Sequence, residues 1–244
     1  MKQFFGSGVT NFPEGYAWYK KLLAQIAFFF ARIVIHDRKN LLTQKDIRHA
    51  RKLLQKGDIV LVGNLRTLFS KLVKGPVTHT LLYVGHGKFI HAIVNGVGYI
   101  SYQDVVTMYD TMIVLRVPEV YRTRELTSRA IAFARSQVGK PYNFFLNEEE
   151  LSFFCSQLVN SAYTYAGYDT GLKTKKHSKF GIDTILHPRG FSAGALQASD
   201  MTGGNFNVIC MSHNIVTKKG KLVFLNNGIF PFQSLRSDTA AREE

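Results

Sequence analysis

Apolar residues recur along this chain with two different periods. From Asp58 to Val62 (DIVLV) they run almost unbroken, the pattern of a short strand buried on both faces. VTHTLLYVG and FIHAIV, residues 77–85 and 89–94, flank a Gly-His-Gly-Lys turn and predict a β-hairpin. Gly96 and Gly98 are expected to turn the chain again. Thr111–Val117 and Phe206–Met211 read as further strands, and Leu222–Phe230 as a last one with an Asn-Gly turn. Helical spacing appears elsewhere. Leu126, Ala130, Ile131, Phe133 and Ala134 make one face of a helix over Thr123–Val138, ended by Gly139 and Pro141. Leu158, Val159, Ala162, Tyr163 and Ala166 make another, which Gly167 closes as a left-handed residue. Leu65–Val73 has helical spacing too. Ser101–Met108 is a short helix or loop, and Pro188–Gln197 a short helix.

The N-terminal part is patterned differently. Residues 1–14 form an irregular arm broken by Gly6, Gly8, Asn11 and Pro13. Gly15–His36 is helical and strongly apolar. Lys21, Gln25, Arg32 and His36 trace a narrow polar stripe opposite Trp18, Leu22, Ile26, Phe29, Phe30 and Ile33. The run is too interrupted to span a bilayer, which takes ~20 apolar residues. It packs on the core, lies in a membrane interface or docks on a partner. A basic helix follows over Thr43–Leu54. Thr43 and Asp46 stand at capping-box spacing, and its charged side is read as solvated.

Composition adds three limits. The 244 residues, 45% hydrophobic and 13% aromatic, suffice for a substantial core. Two distant cysteines give neither a disulfide framework nor metal spacing, so no metal and no cofactor is expected. A net charge of +14 favours an anionic neighbour: nucleic acid, an acidic assembly or an acidic membrane met through residues 15–36. No secretory signal is recognisable at the N-terminus, which points to a cytoplasmic or peripheral-membrane setting. The last residues, 236–244, carry no large apolar side chain and read as a disordered tail.

The candidate nucleophile is Cys155. In the first turn of its helix, unpaired amides and the helix dipole favour a thiolate, which lowers the expected pKa. Glu148, Glu149 and Glu150 just upstream oppose that unless they point away. A thiol nucleophile needs a base and a group that orients the base. Of eight histidines, His36 and His49 sit in basic helices, His86 at a hairpin tip, and His177, His187 and His213 in polar loops. His79 and His91 each sit in a strand of one hairpin. Simple pairing around the four-residue turn sets Leu82 beside His91, so His79 falls on the opposite face. A β-bulge would be needed to bring both onto one face. Cys210, in a strand, is expected to be core.

The order of these segments is itself informative. KGDIVLV (56–62), THTLLYVGHGKFIHA (78–92), VLRVP (114–118), AIAFARSQVGKPYNF (130–144) and FFCSQLVNSAY (153–163) occur in this sequence, followed by HPRGFSAGALQAS (187–199). Together they resemble the circularly permuted branch of the papain-like NlpC-type peptidases, within it the YiiX-like amidases, and more distantly lecithin retinol acyltransferase. The resemblance covers about Lys56 to Met211. It implies an α+β, permuted papain-like fold, an antiparallel sheet packed against the Cys helix, with an added N-terminal helical segment. Residues 1–55 form that extension and 56–235 the catalytic domain. It also implies Cys155 as nucleophile, His79 as general base and acid, and His91 in the orienting position. That position is often Glu in YiiX-like proteins and His in the acyltransferases. Gln157 stands where the group usually has Glu.

Three functions follow. The first is a thiol hydrolase cutting an amide, isopeptide or ester of a peptide or lipid substrate. The second is a lipid-directed acyltransferase or phospholipase at an anionic membrane, and the third a catalytically inactive basic scaffold.

Overall fold

The structure, a computed structural model, describes residues 8–12, 14–31, 33–34, 42–65, 67, 75–142, 154–172, 198–218 and 221–224. Its centre is a six-stranded antiparallel sheet. In chain order the strands are β1 (Ile59–Gly63), β2 (His79–Gly85), β3 (Lys88–Ile93), β4 (Gly96–Ser101), β5 (Thr111–Arg116) and β6 (Asn207–Met211). In space they lie β4-β3-β2-β1-β5-β6. β1 is buried at every residue because both faces of the sheet are covered. Its alternation divides the core in two: Ile59 and Leu61 belong to one cluster, Val60 and Val62 to the other.

The helices sort by face. On one side lie α4 (Arg124–Ser136) and α5 (Cys155–Tyr165), packed on each other, with Ala130, Ala134, Leu158, Val159, Ala162 and Tyr163 against Ile59, Leu82 and Ile90. On the other lie α2 (Gln44–Leu53) and α3 (Tyr102–Met108), with Leu42, Ala50, Val105 and Val106 over Leu81, Phe89 and Val114. The capping box of α2 forms as expected: Thr43 Oγ1 accepts from Asp46 N–H, and Asp46 Oδ2 accepts from Thr43 N–H. The helix keeps its basic side outward but seats Ala50 and Asp46 in the interior. A buried ion pair pins the strand ends. Arg116 donates from Nε and Nη2 to the two oxygens of Asp58, and Nη2 also reaches the Leu53 carbonyl.

The pattern missed two strands. Gly96 and Gly98 lie within β4 instead of a turn, the reversal falling at Val94 and Asn95; Gly96 has φ +101°. A second hairpin pairs β7 (Ile215–Lys218) with β8 (Lys221–Phe224), the latter beginning the strand expected over 222–230. Residues 66 and 68–74, the 188–197 helix and the chain beyond 224 lie outside the described residues.

The first helix corrects one of its three readings. α1 (Trp18–Ala31) does not pack its large apolar residues on the core. Trp18 is 76% and Phe29 68% exposed, while Ala24 on the opposite side is buried. Gln25, part of the polar stripe, binds the N-terminal arm instead. Val9 N–H donates to its Oε1 at 3.0 Å and its Nε2 donates to the Val9 carbonyl at 2.7 Å.

Candidate active site

Cys155 is the first residue of α5, as its sequence position predicts. Phe154 precedes it in extended conformation (φ −95°, ψ 166°) and has no polar side chain to cap the helix. Gln157 does part of that work: Phe154 N–H donates to its Oε1 at 3.3 Å. Gln and Glu both present a carbonyl oxygen there, so the exchange keeps the cap. At the other end Gly167 (φ +93°) closes a Schellman turn, with Tyr168 N–H on Tyr163 O and Gly167 N–H on Thr164 O. Tyr163, fully buried, donates its hydroxyl to the Gly57 carbonyl and locks the helix to the start of β1.

The head of α5 meets the open end of the β2–β3 ladder. Tyr83 N–H donates to Asp58 O at 2.8 Å, so the odd-numbered amides of β2 face β1 and the even ones face β3. The β2–β3 register ends at Leu82–Ile90, although β2 continues back to His79. The Thr80 amide therefore lies beyond the last pair. It is turned to the Cys155 sulfur, together with the amides of Cys155 and Ser156 and the Ser156 hydroxyl.

Those donors favour the thiolate, as expected of a helix N-terminus. The expected outcome is nevertheless reversed: burial pushes the thiol above its ordinary value, and the hydrogen bonds only oppose that rise. The residue is partly exposed at its surface, but the sulfur is closely surrounded.

The histidines sit on one face after all. Leu82 pairs with Ile90 instead of His91, because the register shifts between Tyr83 and Gly85. Tyr83–Phe89 and Gly85–Lys88 leave Val84 as the extra residue, the bulge that simple pairing lacked. His79 and His91 thereby become diagonal neighbours, and His79 Nε2 lies 3.1 Å from His91 Nδ1. Burial lowers the His79 imidazole to about 4. His91 is lowered well below its ordinary value, by burial first and then by the charge of His79.

One tyrosine neighbours both the pair and the sulfur, and a second neighbours the sulfur. Tyr109, at the end of α3, stacks on the His79 ring with centroids 5.9 Å apart and planes 14° from parallel. Its phenol is raised by burial and then by the charge of Cys155, so it neighbours both groups. Tyr142, of the Gly-Lys-Pro-Tyr segment, is raised by the same two causes. Alternation points His79 to the α2–α3 face, whereas α5 packs on the other. What β2 turns to the sulfur is the Thr80 amide at its unpaired end. Neither the Thr80 amide nor Tyr109 stood out in the sequence. An amide carries no side-chain signal, and Tyr109 becomes relevant only once β5 is placed beside β1.

The remaining candidates lie elsewhere. Cys210 is buried under α2. His213, expected in a polar loop, holds buried Asp46 with Nδ1–Oδ2 2.7 Å. His86 is exposed at the hairpin tip with φ +52°. His36, His177, His187 and Glu148–Glu150 lie outside the described residues. Among the described residues no group of three or more His, Cys, Asp or Glu is arranged to hold a metal.

Residues 53–191, more than half of the chain, match a family described as permuted papain-like amidase enzymes, YaeF/YiiX, C92 family. The fold is similar to a crystal structure described as metalloprotein yiiX from Escherichia coli O157:H7. That match has a TM-score of 0.53 and 19% identity, covering 64% of this chain and 96% of that one. No curated protein matches the chain.

Proposed function

Because this chain belongs to the permuted papain-like amidases of the YaeF/YiiX, C92 family, we propose that it cleaves an amide, isopeptide or ester bond by thiol chemistry at Cys155, His79 and His91. One observation carries this reading. The sulfur at the head of α5 is met by the amide next to His79, and His79 is itself held by His91. Residues 56–235 form the catalytic unit, and the extension over 1–55 contributes α2 to its second core.

The tautomers follow from the contact. If His79 Nε2–H donates to His91 Nδ1, then His91 carries its proton on Nε2 and His79 keeps a lone pair on Nδ1. Nδ1 is the nitrogen left for the thiol. With the thiol raised and both imidazoles lowered, the resting state is a neutral pair. The S–H proton passes to His79 Nδ1 as sulfur attacks the carbonyl. The oxyanion forms beside the amides at the head of α5. His79 then protonates the departing amine or alcohol, and a thioester to Cys155 remains. Water adds to it, giving its proton back to Nδ1; collapse releases the acid and restores the thiol. His91 orients the base and accepts its hydrogen bond without bearing charge.

The test is rapid acid quench of the full chain reacting with a chromogenic ester and a peptide anilide. Wild type gains the acyl mass at Cys155, and Cys155→Ala gains none. Undiminished turnover by Cys155→Ala would remove this reading.

A further inference from the structure

We propose that the outward face of α1 seats the protein on an anionic lipid bilayer, with the helix lying in the plane of the interface. At roughly 100° per residue, Trp18, Tyr19, Leu22, Ile26, Phe29 and Phe30 fall within one arc of roughly 120°, and all six are exposed. The opposite side holds buried Ala24, and Gln25, at the polar edge between Lys21 and Trp18, is tied to the arm at Val9. The helix is thus mounted with its apolar side outward, the reverse of a helix that serves only its own core.

Length and charge identify the occupant. Fourteen residues rise roughly 21 Å, short of the ~30 Å hydrocarbon layer, so the helix lies on a bilayer and does not cross it. No helix among the described residues is long and apolar enough to cross. α1 contains no acidic residue, and Lys20 and Lys21 flank the arc. Residues 1–55 hold ten Lys and Arg against three Asp and Glu, half of the net charge of +14. Anionic headgroups complement that charge, whereas a second copy would bring like charges together. Trp and Tyr on the face suit the headgroup boundary.

Trp18 is the chain's single tryptophan, so the unmodified protein reports on this face. The full chain is mixed with vesicles of phosphatidylcholine containing about 30% phosphatidylglycerol, and with pure phosphatidylcholine, at low and high salt. The expected result is a blue shift of Trp18 emission and flotation with the anionic vesicles, weakened by salt. Phe29→Glu is expected to lower partitioning on the order of tenfold or more, with an unchanged thermal transition. Lys20→Glu with Lys21→Glu should weaken the salt-sensitive part. Unshifted emission with protein left at the bottom of the gradient overturns the proposal. So does emission that is already blue in buffer and reddens on dilution, since a second copy then covers the face. Hydrolysis of a soluble ester is unaffected by Phe29→Glu or by the lysine pair, so this result is separable from the thiol chemistry.

Discussion

The two cysteines of this protein both have hydrogen-bonding groups in their surroundings, yet the proposed chemistry falls to only one of them. Cys155 begins a helix, keeps partial exposure, and has three backbone amides turned to its sulfur. Cys210 lies within β6, paired with Val114 and covered by α2. Its thiol is pushed up to about 12 by burial and then by the Asp58 carboxylate. The imidazoles assigned to each region differ as well. His213 is engaged by a carboxylate that also caps α2, whereas His79 touches a second imidazole through Nε2, which in the proposed mechanism leaves Nδ1 for the thiol. On the proposed reading, main-chain donors turned to the sulfur and an unspent ring nitrogen are what separate a nucleophile from a packing residue.

The contrast is sharpest in activity. Cys155→Ala should reduce turnover by ~10⁴-fold or more, because a nucleophile has no substitute. Cys210→Ala should leave turnover within about twofold while lowering stability by ~1–2 kcal/mol in urea unfolding, through lost packing. A large activity loss at Cys210 would erase the distinction.

The histidines come next. His79→Ala should cost ~10²–10⁴ in kcat/KM, the range for a general base. His91→Leu should cost ~10–100-fold, through misorientation of His79. His91→Asn, which retains an acceptor, should recover part of that loss, as steady-state kinetics would show.

Acid supplies a smaller effect. The unfolded chain binds a proton at His79 near 6.5, while the native state does not until about 4. Protons therefore favour unfolding in that window, and stability falls as pH drops from 6.5 towards 4. The loss is ~2 kcal/mol after allowance for partial exposure, measured by chemical denaturation against pH. His79→Gln should remove the His79 share and leave that of His91, which burial lowers in the same direction. The same lowering keeps the base form available in mild acid, so the acid limb of kcat/KM should lie nearer 4 than 6.5.

Asp46→Ala should have the smallest consequence, ~1–2 kcal/mol of stability from the lost helix cap and His213 contact, with kcat unchanged.

Much of this arrangement is legible in residue order. The DIVLV run, the hairpin, the 123–138 helix and the Cys155 helix with its Gly167 stop all come from local pattern, and local pattern is where side-chain chemistry speaks plainly. The meeting of His79 and His91 is not legible. It depends on one extra residue at Val84, and nothing in Tyr-Val-Gly distinguishes a bulge from a straight strand. The state of the thiol is hidden for a related reason: helix position predicts the donors, but the opposing burial comes from strands and tyrosines distant in sequence. α1 shows a third limit. Its apolar stripe was visible, but which way the stripe faces is decided by Gln25 gripping Val9, a contact between segments with no shared pattern.

The coupling of sulfur and imidazole is tested most directly by mapping an electrophilic peptide probe on the intact protein. Wild type should take one adduct, on Cys155, with labelling slowed at least tenfold in His79→Ala and Cys210 unmodified throughout. An adduct on Cys210, or equal labelling rates with and without His79, would contradict the account.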